Sequence, residues 1–165
     1  MTHPEPLPPG PEQESVWDYP RPPLVEHTSS VIEVVFGGMP VARTMRSLRV
    51  LETSHPPTFY LPVKAFTPGS LRPAAGRSYC EWKGVAAYFD VVAGSDVASR
   101  AAWGYPNPAP AYRELLDHVA VYPCAMDACT VDGEVVIPQP GGFYGGWITA
   151  RVVGPFKGSA GSRFW

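Results

Sequence analysis

A thiol and an amine lie three residues apart in the run Cys80-Glu81-Trp82-Lys83-Gly84. A cysteine becomes a nucleophile when a nearby cation stabilises its thiolate, so Cys80 beside Lys83 could carry covalent chemistry. The two side chains would point to opposite faces of an extended strand, whereas a turn would let them meet. The alternative, which we favour from the sequence, is a buried Cys80 that packs as a small hydrophobic residue.

The same part of the sequence contains four large aromatic residues, Trp82, Tyr88, Trp103 and Tyr105. Aromatic side chains on paired strands can line an apolar pocket while their polar tips point inward. They can equally form the hydrophobic core of a small β-domain, which is the more common arrangement. Because Trp103 is predicted at a strand end, where pockets often open, both interpretations stay open.

A carboxylate and an imidazole, Glu52 and His55, lie at the end of an earlier predicted strand. Such a pair could act as a general acid and base, or both groups could be solvated. A composite site would join two strand pairs and would contain Glu52, His55, Tyr60, Cys80, Lys83 and Tyr88. This site requires the strands to be neighbours, which the sequence does not establish.

Other motifs do not match metal or phosphate sites. Cys124 and Cys129 lack the CxxC spacing of a zinc hook, with His118 as a nearby third ligand. Asp96 has no second aspartate at alternating spacing, which a magnesium-dependent nucleotidyltransferase site would need. The glycine cluster at 141–146 has no GxxxxGKS pattern and no following helix. We therefore predict no metal site and no cofactor.

Charge and composition argue against several classes of partner. The 165 residues include 13 basic and 15 acidic residues, for a formal net charge of -2. Nucleic-acid and anionic-membrane binding need clustered Lys and Arg, so we expect neither partner. The N-terminal residues lack the features of a signal peptide, and no apolar run reaches about 18 residues. We expect a cytoplasmic protein with free thiols, although an oxidised pair of Cys124 and Cys129 stays open.

Proline and glycine dominate the prediction of fold class. The chain has 21 Pro and 16 Gly, which oppose long helices because proline lacks an amide donor. The pattern predicts about eight short strands, one short helix over 111–117 and a loop over 62–79. The strand predicted over 85–92, the turn at 93–96 and the weaker strand over 97–103 predict one hairpin, and Asp132-Gly133 is typical of the type I′ turn of another. We predict a mainly β domain, built either as a small barrel or as folded-over antiparallel sheets.

The chain divides into three parts by composition. Residues 1–30 are a Pro-rich N-terminal arm, 31–137 a β-rich domain, and 138–165 a C-terminal arm rich in glycine and aromatic residues. Such arms could dock on their own domain or on a neighbouring subunit. A homodimer that forms through the two arms therefore stays open.

A family resemblance rests on a set of short motifs. These motifs are Cys80-Glu81-Trp82-Lys83-Gly84, Ala87-Tyr88, Ala102-Trp103, Tyr105-Pro106, Pro108 and Val119-Ala120-Val121-Tyr122-Pro123. Over residues 31–137 the sequence resembles the domain-of-unknown-function 427 family. The segments 14–23 and 138–149 are similar to the arms of longer, actinobacterial-type members of that family.

The resemblance implies a compact β-rich fold of the Mss4-like or β-tent type. This sequence lacks the paired CxxC hooks of many β-tent proteins, so likeness to that fold does not imply a metal. The positions that match the family motif have no established roles that could be assigned to this chain. The resemblance therefore specifies the fold and leaves the function open.

Three functional hypotheses follow. The first, which we favour, is a small-molecule binding domain with an aromatic pocket. That pocket would be lined by Tyr60, Trp82, Lys83, Tyr88, Trp103 and Tyr105. The second is an enzyme with Cys80 or Lys83 as nucleophile and His55 as base, with Glu52 beside it. The third is an interaction module that assembles through its terminal arms.

Overall fold

The computed structural model describes residues 3–165 and is built mainly from short β-strands. The strands are, in chain order, β1 Glu14–Ser15, β2 Leu24–Thr28, β3 Ile32–Phe36, β4 Met39–Thr44, β5 Ser47–Leu51, β6 Thr58–Pro62, β7 Leu71–Cys80, β8 Gly84–Ala93, β9 Asp96–Gly104, β10 His118–Val121, β11 Ala128–Val131, β12 Glu134–Val135, β13 Ile137–Pro138, β14 Trp147–Ile148 and β15 Val152–Val153. Residues 1 and 2 of the predicted N-terminal arm lie outside the described residues.

Helical structure in residues 3–165 is limited to short 3-10 segments. These are Val16–Asp18, Val63–Ala65, Pro110–Leu115 and Pro123–Ala125. The segment Pro110–Leu115 is the longest and lies where the sequence predicts the helix over 111–117. Within this described part of the chain, no helix has the length and apolar character needed to cross a membrane.

Two antiparallel sheets form most of the molecule. The larger has seven strands in the order β2-β5-β6-β10-β9-β8-β7, and the smaller has four in the order β12-β11-β3-β4. Two small pairs, β1 with β15 and β13 with β14, involve the C-terminal part of the chain. No sheet of the described residues closes into a barrel. The prediction of a mainly β protein is thus confirmed, with separate sheets rather than a barrel.

The two predicted hairpins are present in the structure. One joins β8 to β9 around Gly94, and the other joins β11 to β12 at Asp132-Gly133. Asp132 has φ 48 and Gly133 has φ 84, so both central residues are left-handed, as a type I′ turn requires. The local turn signals of the sequence therefore determine these two connections.

The predicted loop over 62–79 is wrong in its second half, because Leu71–Cys80 forms the edge strand β7. Most residues of β7 are exposed, so the segment lacks the alternating apolar pattern of a strand with one buried face. Pro73 and Gly76 also oppose a regular strand, and the pairing with β8 shifts register around Gly76. Backbone pairing with the long strand β8, rather than side-chain burial, keeps this segment extended.

The main core lies between the two large sheets and includes a tryptophan from the C-terminal segment. Trp147 is fully buried, and its ring lies 5.0 Å from the ring of Phe59 on β6. Its indole N–H donates to the Val121 carbonyl at 3.4 Å, and its backbone N–H donates to the Pro57 carbonyl at 2.8 Å. The C-terminal segment is therefore part of the core.

Both ends of the chain lie against the sheets of the same chain. β1 pairs in parallel with β15, and Val16 is fully buried in a cluster with Leu51. Arg49 on β5 donates to Glu14 at 2.9 Å and to Glu26 at 2.7 Å, which ties the N-terminal residues to the larger sheet. The division of the chain into a domain with two arms, and the homodimer through those arms, stay predictions.

Replacing Trp147 by Ala should destabilise the whole protein, because Trp147 fills the core between the sheets. We expect the free energy of unfolding to fall by about 3–5 kcal/mol, the usual effect of removing a buried tryptophan. Urea denaturation followed by circular dichroism measures this change. The matched control is Phe143→Ala in the same segment, since Phe143 is 77% exposed and should matter by less than about 0.5 kcal/mol. Equal effects of the two variants would show that the segment is not part of the core.

Candidate functional site

A cavity of about 380 Å³ is bounded by the larger sheet and by the C-terminal segment. Its lining includes every residue that the sequence singles out for a site, namely Glu52, His55, Tyr60, Cys80, Trp82, Lys83, Tyr88, Trp103 and Tyr105. The composite site predicted from the sequence requires neighbouring strands, but β6 and β8 are separated by β10 and β9. The sheet must curl, because residues from β5 and from the edge strand β7 face the same cavity.

A row of aromatic residues crosses the sheet on the cavity face. Tyr88 on β8 lies directly opposite Trp103 on β9, and Trp103 lies opposite Ala120 on β10. The antiparallel register of β6 and β10 places Tyr60 on the other side of Ala120. Cross-strand partners share a face, so the three rings point in the same direction. The small side chain of Ala120 leaves room between the two large rings beside it.

Trp103 is the centre of this aromatic cluster. Its indole N–H donates to the Tyr60 hydroxyl at 3.3 Å, and the Tyr122 ring lies 4.5 Å from the Trp103 ring. On another side the backbone of Gly145 touches the indole so closely that an added Cβ would overlap it. Glycine at 145 therefore lets the C-terminal segment close against Trp103.

Two phenols inside the cavity are held in their neutral form. Burial raises the pKa of both Tyr60 and Tyr105 well above the ordinary value. The two rings lie 6.4 Å apart. A neutral phenol both donates and accepts hydrogen bonds. The aromatic wall therefore also carries polar groups that could orient a bound molecule.

Cys80 and Lys83 meet across the turn between β7 and β8. Cys80 ends β7 and Gly84 begins β8, where its φ of 110 suits glycine. The turn brings Lys83 Nζ to 3.5 Å from Cys80 Sγ. This is the turn arrangement that the nucleophile hypothesis needs, and an extended strand would have separated the two groups.

Lys83 is unusually buried for a lysine, with 9% of the residue exposed. No carboxylate among residues 3–165 forms an ion pair with its ammonium. Its neighbours are the Cys80 thiol and the Tyr105 ring, whose centroid lies 5.9 Å from Nζ. A cation–π contact compensates part of the lost hydration. The structure thus places a poorly compensated positive charge on the cavity lining.

A single glutamine holds His55 in one tautomer. The Gln139 amide oxygen accepts from the Gly146 N–H at 3.1 Å, so its amino group must face the other way. That amino group donates to His55 Nδ1 at 3.1 Å and to the Lys157 carbonyl at 2.8 Å. The proton of the neutral ring is therefore on Nε2, which lies 3.6 Å from Glu52 Oε2.

Burial and nearby cations keep His55 uncharged. Desolvation is the main cause that lowers its pKa from 6.5 to about 3, and Lys157, Arg21 and Lys83 lower it further. The Glu52 carboxylate lies 3.6 Å from His55 Nε2 and is shared with Arg21, also at 3.6 Å. His55 has no free lone pair, because Nδ1 accepts from Gln139 and Nε2 carries the proton. This geometry does not favour His55 as a general base.

The C-terminal segment forms one wall of the cavity, which the sequence analysis does not predict. The Tyr144 ring meets His55 edge-on at 4.8 Å, and Lys157 Nζ lies 5.8 Å from the Tyr144 ring. The lining residues missing from the predicted set include Tyr122, Gln139, Phe143, Tyr144, Gly145 and Lys157. Glycine pairs followed by aromatic residues over 141–147 are the sequence pattern that could have indicated such a wall. No comparable sequence pattern around Lys157 indicates that this residue lines the cavity.

The three thiols are free and lie in different environments. Cys129 is buried in the core, and burial raises its pKa to about 12. Cys124 is exposed, and Cys80 on the cavity lining is partly exposed. Within residues 3–165 no group of three or more His, Cys, Asp or Glu side chains is placed to hold a metal ion.

The comparison with protein families identifies the class of this chain. Residues 24–132 match the family described as Domain of unknown function (DUF427). The match covers more than half of the chain, so the chain belongs to this family, and the resemblance noted from its motifs is confirmed. No curated protein matches the sequence. The matched region ends before Gln139, so one wall of the cavity comes from outside it.

Replacing His55 by Asn should make the protein less sensitive to acid. The folded state holds His55 neutral below its ordinary pKa of 6.5, whereas the unfolded chain binds that proton. Falling pH therefore favours unfolding between 6.5 and about 3, by up to about 1.4 kcal/mol per pH unit. The Asn variant keeps an oxygen acceptor for Gln139 and lacks this titration, so its stability should decline less steeply.

Urea denaturation of both proteins between pH 7 and pH 4 measures the difference in slope. Subtracting one curve from the other removes the contribution of the carboxylates, which is common to both. Parallel curves would contradict the assignment, because they would mean that His55 takes up its proton in the folded state as readily as in the unfolded chain.

Proposed function

We propose that this protein binds a small, flat aromatic molecule in the cavity between the larger sheet and the C-terminal segment. The observation that carries the proposal is that the candidate side chains line a single cavity. Aromatic residues from β6, β8, β9 and the turn before β8 line one cavity together with a buried lysine. These rings also pack in a buried hydrophobic cluster, and the space beside that cluster is what supports a pocket in addition to a core.

The size of the cavity supports a small ligand. Its volume of about 380 Å³ is near the lower end of the range for small-molecule pockets. Trp82, Trp103 and Tyr88 contribute aromatic surface to the walls, with which a ligand ring can make apolar contact. The neutral phenols of Tyr60 and Tyr105 supply a small number of polar contacts. Apolar walls with few polar groups are the usual composition of a ligand site.

A second candidate function is covalent chemistry at Cys80. The observation that favours it is the distance of 3.5 Å between Cys80 Sγ and Lys83 Nζ on the cavity lining. An adjacent ammonium stabilises a thiolate, and the thiolate is the nucleophilic form of cysteine. His55 takes no part in this candidate function, since neither of its nitrogens is free to accept a proton.

Binding can be tested with a saturation-transfer NMR screen of small aromatic fragments. We expect several fragments to bind the wild type and to bind Trp82→Ala about tenfold more weakly, because Trp82 is a wall of the cavity. The matched control is Phe164→Ala, since Phe164 is 64% exposed and does not line the cavity. Fragments that bind all three proteins equally, or no binding fragment at all, would contradict the proposed pocket.

The chemistry at Cys80 can be tested by iodoacetamide labelling across pH, with mass spectrometry of each cysteine. If the Lys83 ammonium stabilises the thiolate, Lys83→Met should slow labelling of Cys80 several-fold near pH 7. Lys83→Arg keeps the positive charge and should label almost as fast as the wild type. Exposed Cys124 is the internal reference and should react equally in all three proteins. A rate at Cys80 that does not depend on residue 83 would exclude the activated thiolate.

A further inference from the structure

The charges on the cavity lining are unevenly compensated. Four charged residues contribute to the lining, two glutamates and two lysines. Glu81 is exposed to solvent, and Glu52 already lies 3.6 Å from Arg21 and 3.6 Å from His55. Both carboxylates therefore have solvent or a partner. The surroundings of the two lysines differ from those of the glutamates, and they indicate the sign of the charge that we expect on a ligand.

Neither lysine forms an ion pair with a side-chain carboxylate among the described residues. Lys83 touches a thiol and an aromatic ring. Lys157 lies beside the Tyr144 ring and donates to a main-chain oxygen of Trp165 at 3.2 Å, which gives its ammonium an oxygen partner that Lys83 does not have. Removing an ammonium from water without a counter-charge is unfavourable. Lys83 is the more buried of the two, so it gains most from an anion that enters the cavity.

We infer that the ligand is an aromatic carboxylic acid, whose carboxylate pairs with the Lys83 ammonium and whose ring lies against the aromatic residues of the cavity lining. This inference rests on the proposed function, since it names the ligand class of the same cavity. Three aromatic residues follow one another along the lining from Lys83. Lys83 Nζ lies 5.9 Å from the Tyr105 ring, the Tyr105 ring 6.4 Å from the Tyr60 ring, and the Tyr60 ring 6.2 Å from the Trp103 ring.

The donor set fits a carboxylate better than a phosphate. Phosphate sites use bidentate arginine or several backbone N–H groups at a helix start. Among the described lining residues there is no arginine, and the turn before β8 leads into a strand rather than a helix. One buried ammonium with two neutral phenols nearby can neutralise a single negative charge and hydrogen-bond to its oxygens.

The test compares matched pairs of ligands that differ only in charge. We would titrate the full-length protein with benzoate and benzamide, and with 2-naphthoate and 2-naphthamide, by NMR. In the wild type each acid should bind at least about tenfold more tightly than its amide. In Lys83→Gln this preference should fall to about one, while Lys157→Gln should keep most of it. Thermal melts of both variants establish that they are folded.

The outcomes separate the inference from the proposed function. If acid and amide bind the wild type equally, or the amide binds more tightly, the carboxylate inference fails and the aromatic pocket stands. A preference that survives in Lys83→Gln and disappears in Lys157→Gln would overturn the assignment of the anion to Lys83. If no member of either pair binds and the fragment screen is also empty, the proposed function itself fails.

Discussion

The burial of Trp147 is the contact on which the rest of the site depends. Its ring fills the core between the two sheets, and its indole and backbone N–H groups donate to the Val121 and Pro57 carbonyls. Once Trp147 is in place, the residues on either side of it have little freedom. Gly145 is brought onto Trp103, and Gln139 is brought within hydrogen-bonding distance of His55. The burial of Trp147 in the hydrophobic core therefore positions the segment that closes the polar and aromatic cavity.

The sequence predicts the parts of this structure that local chemistry controls. Left-handed turn residues at Asp132-Gly133 specify a hairpin, and the β-branched runs of β3 and β8 specify strands. The edge strand β7 could not be predicted, because backbone pairing rather than a buried face holds it extended. Residue types indicate the candidate side chains, but the curl of a seven-stranded sheet is what brings these side chains to one cavity. No pattern within a short stretch of sequence predicts the curvature of a sheet whose strands are far apart in the chain.

The charges in the cavity explain why the same residues suggested both an enzyme and a binding site. His55 beside Glu52 resembles an acid/base pair in the sequence, but burial and three cations keep the imidazole neutral. Lys83 beside Cys80 resembles an activated nucleophile, and the turn does bring the two together. What distinguishes Lys83 is its burial without a carboxylate partner among the described residues. That property favours an anion as ligand, whereas the histidine is a structural link to Gln139.

The sheet and the C-terminal segment enclose one cavity, and nuclear Overhauser effects measured in the 165-residue protein test this arrangement. We expect strong effects between the Gly145 α-protons and the Trp103 ring, and between the Tyr144 and His55 rings. Nuclear Overhauser effects between the Phe59 and Trp147 rings show that the core is intact. If the core effects are present and the cavity effects are absent, the segment does not form the wall, and the claim is contradicted.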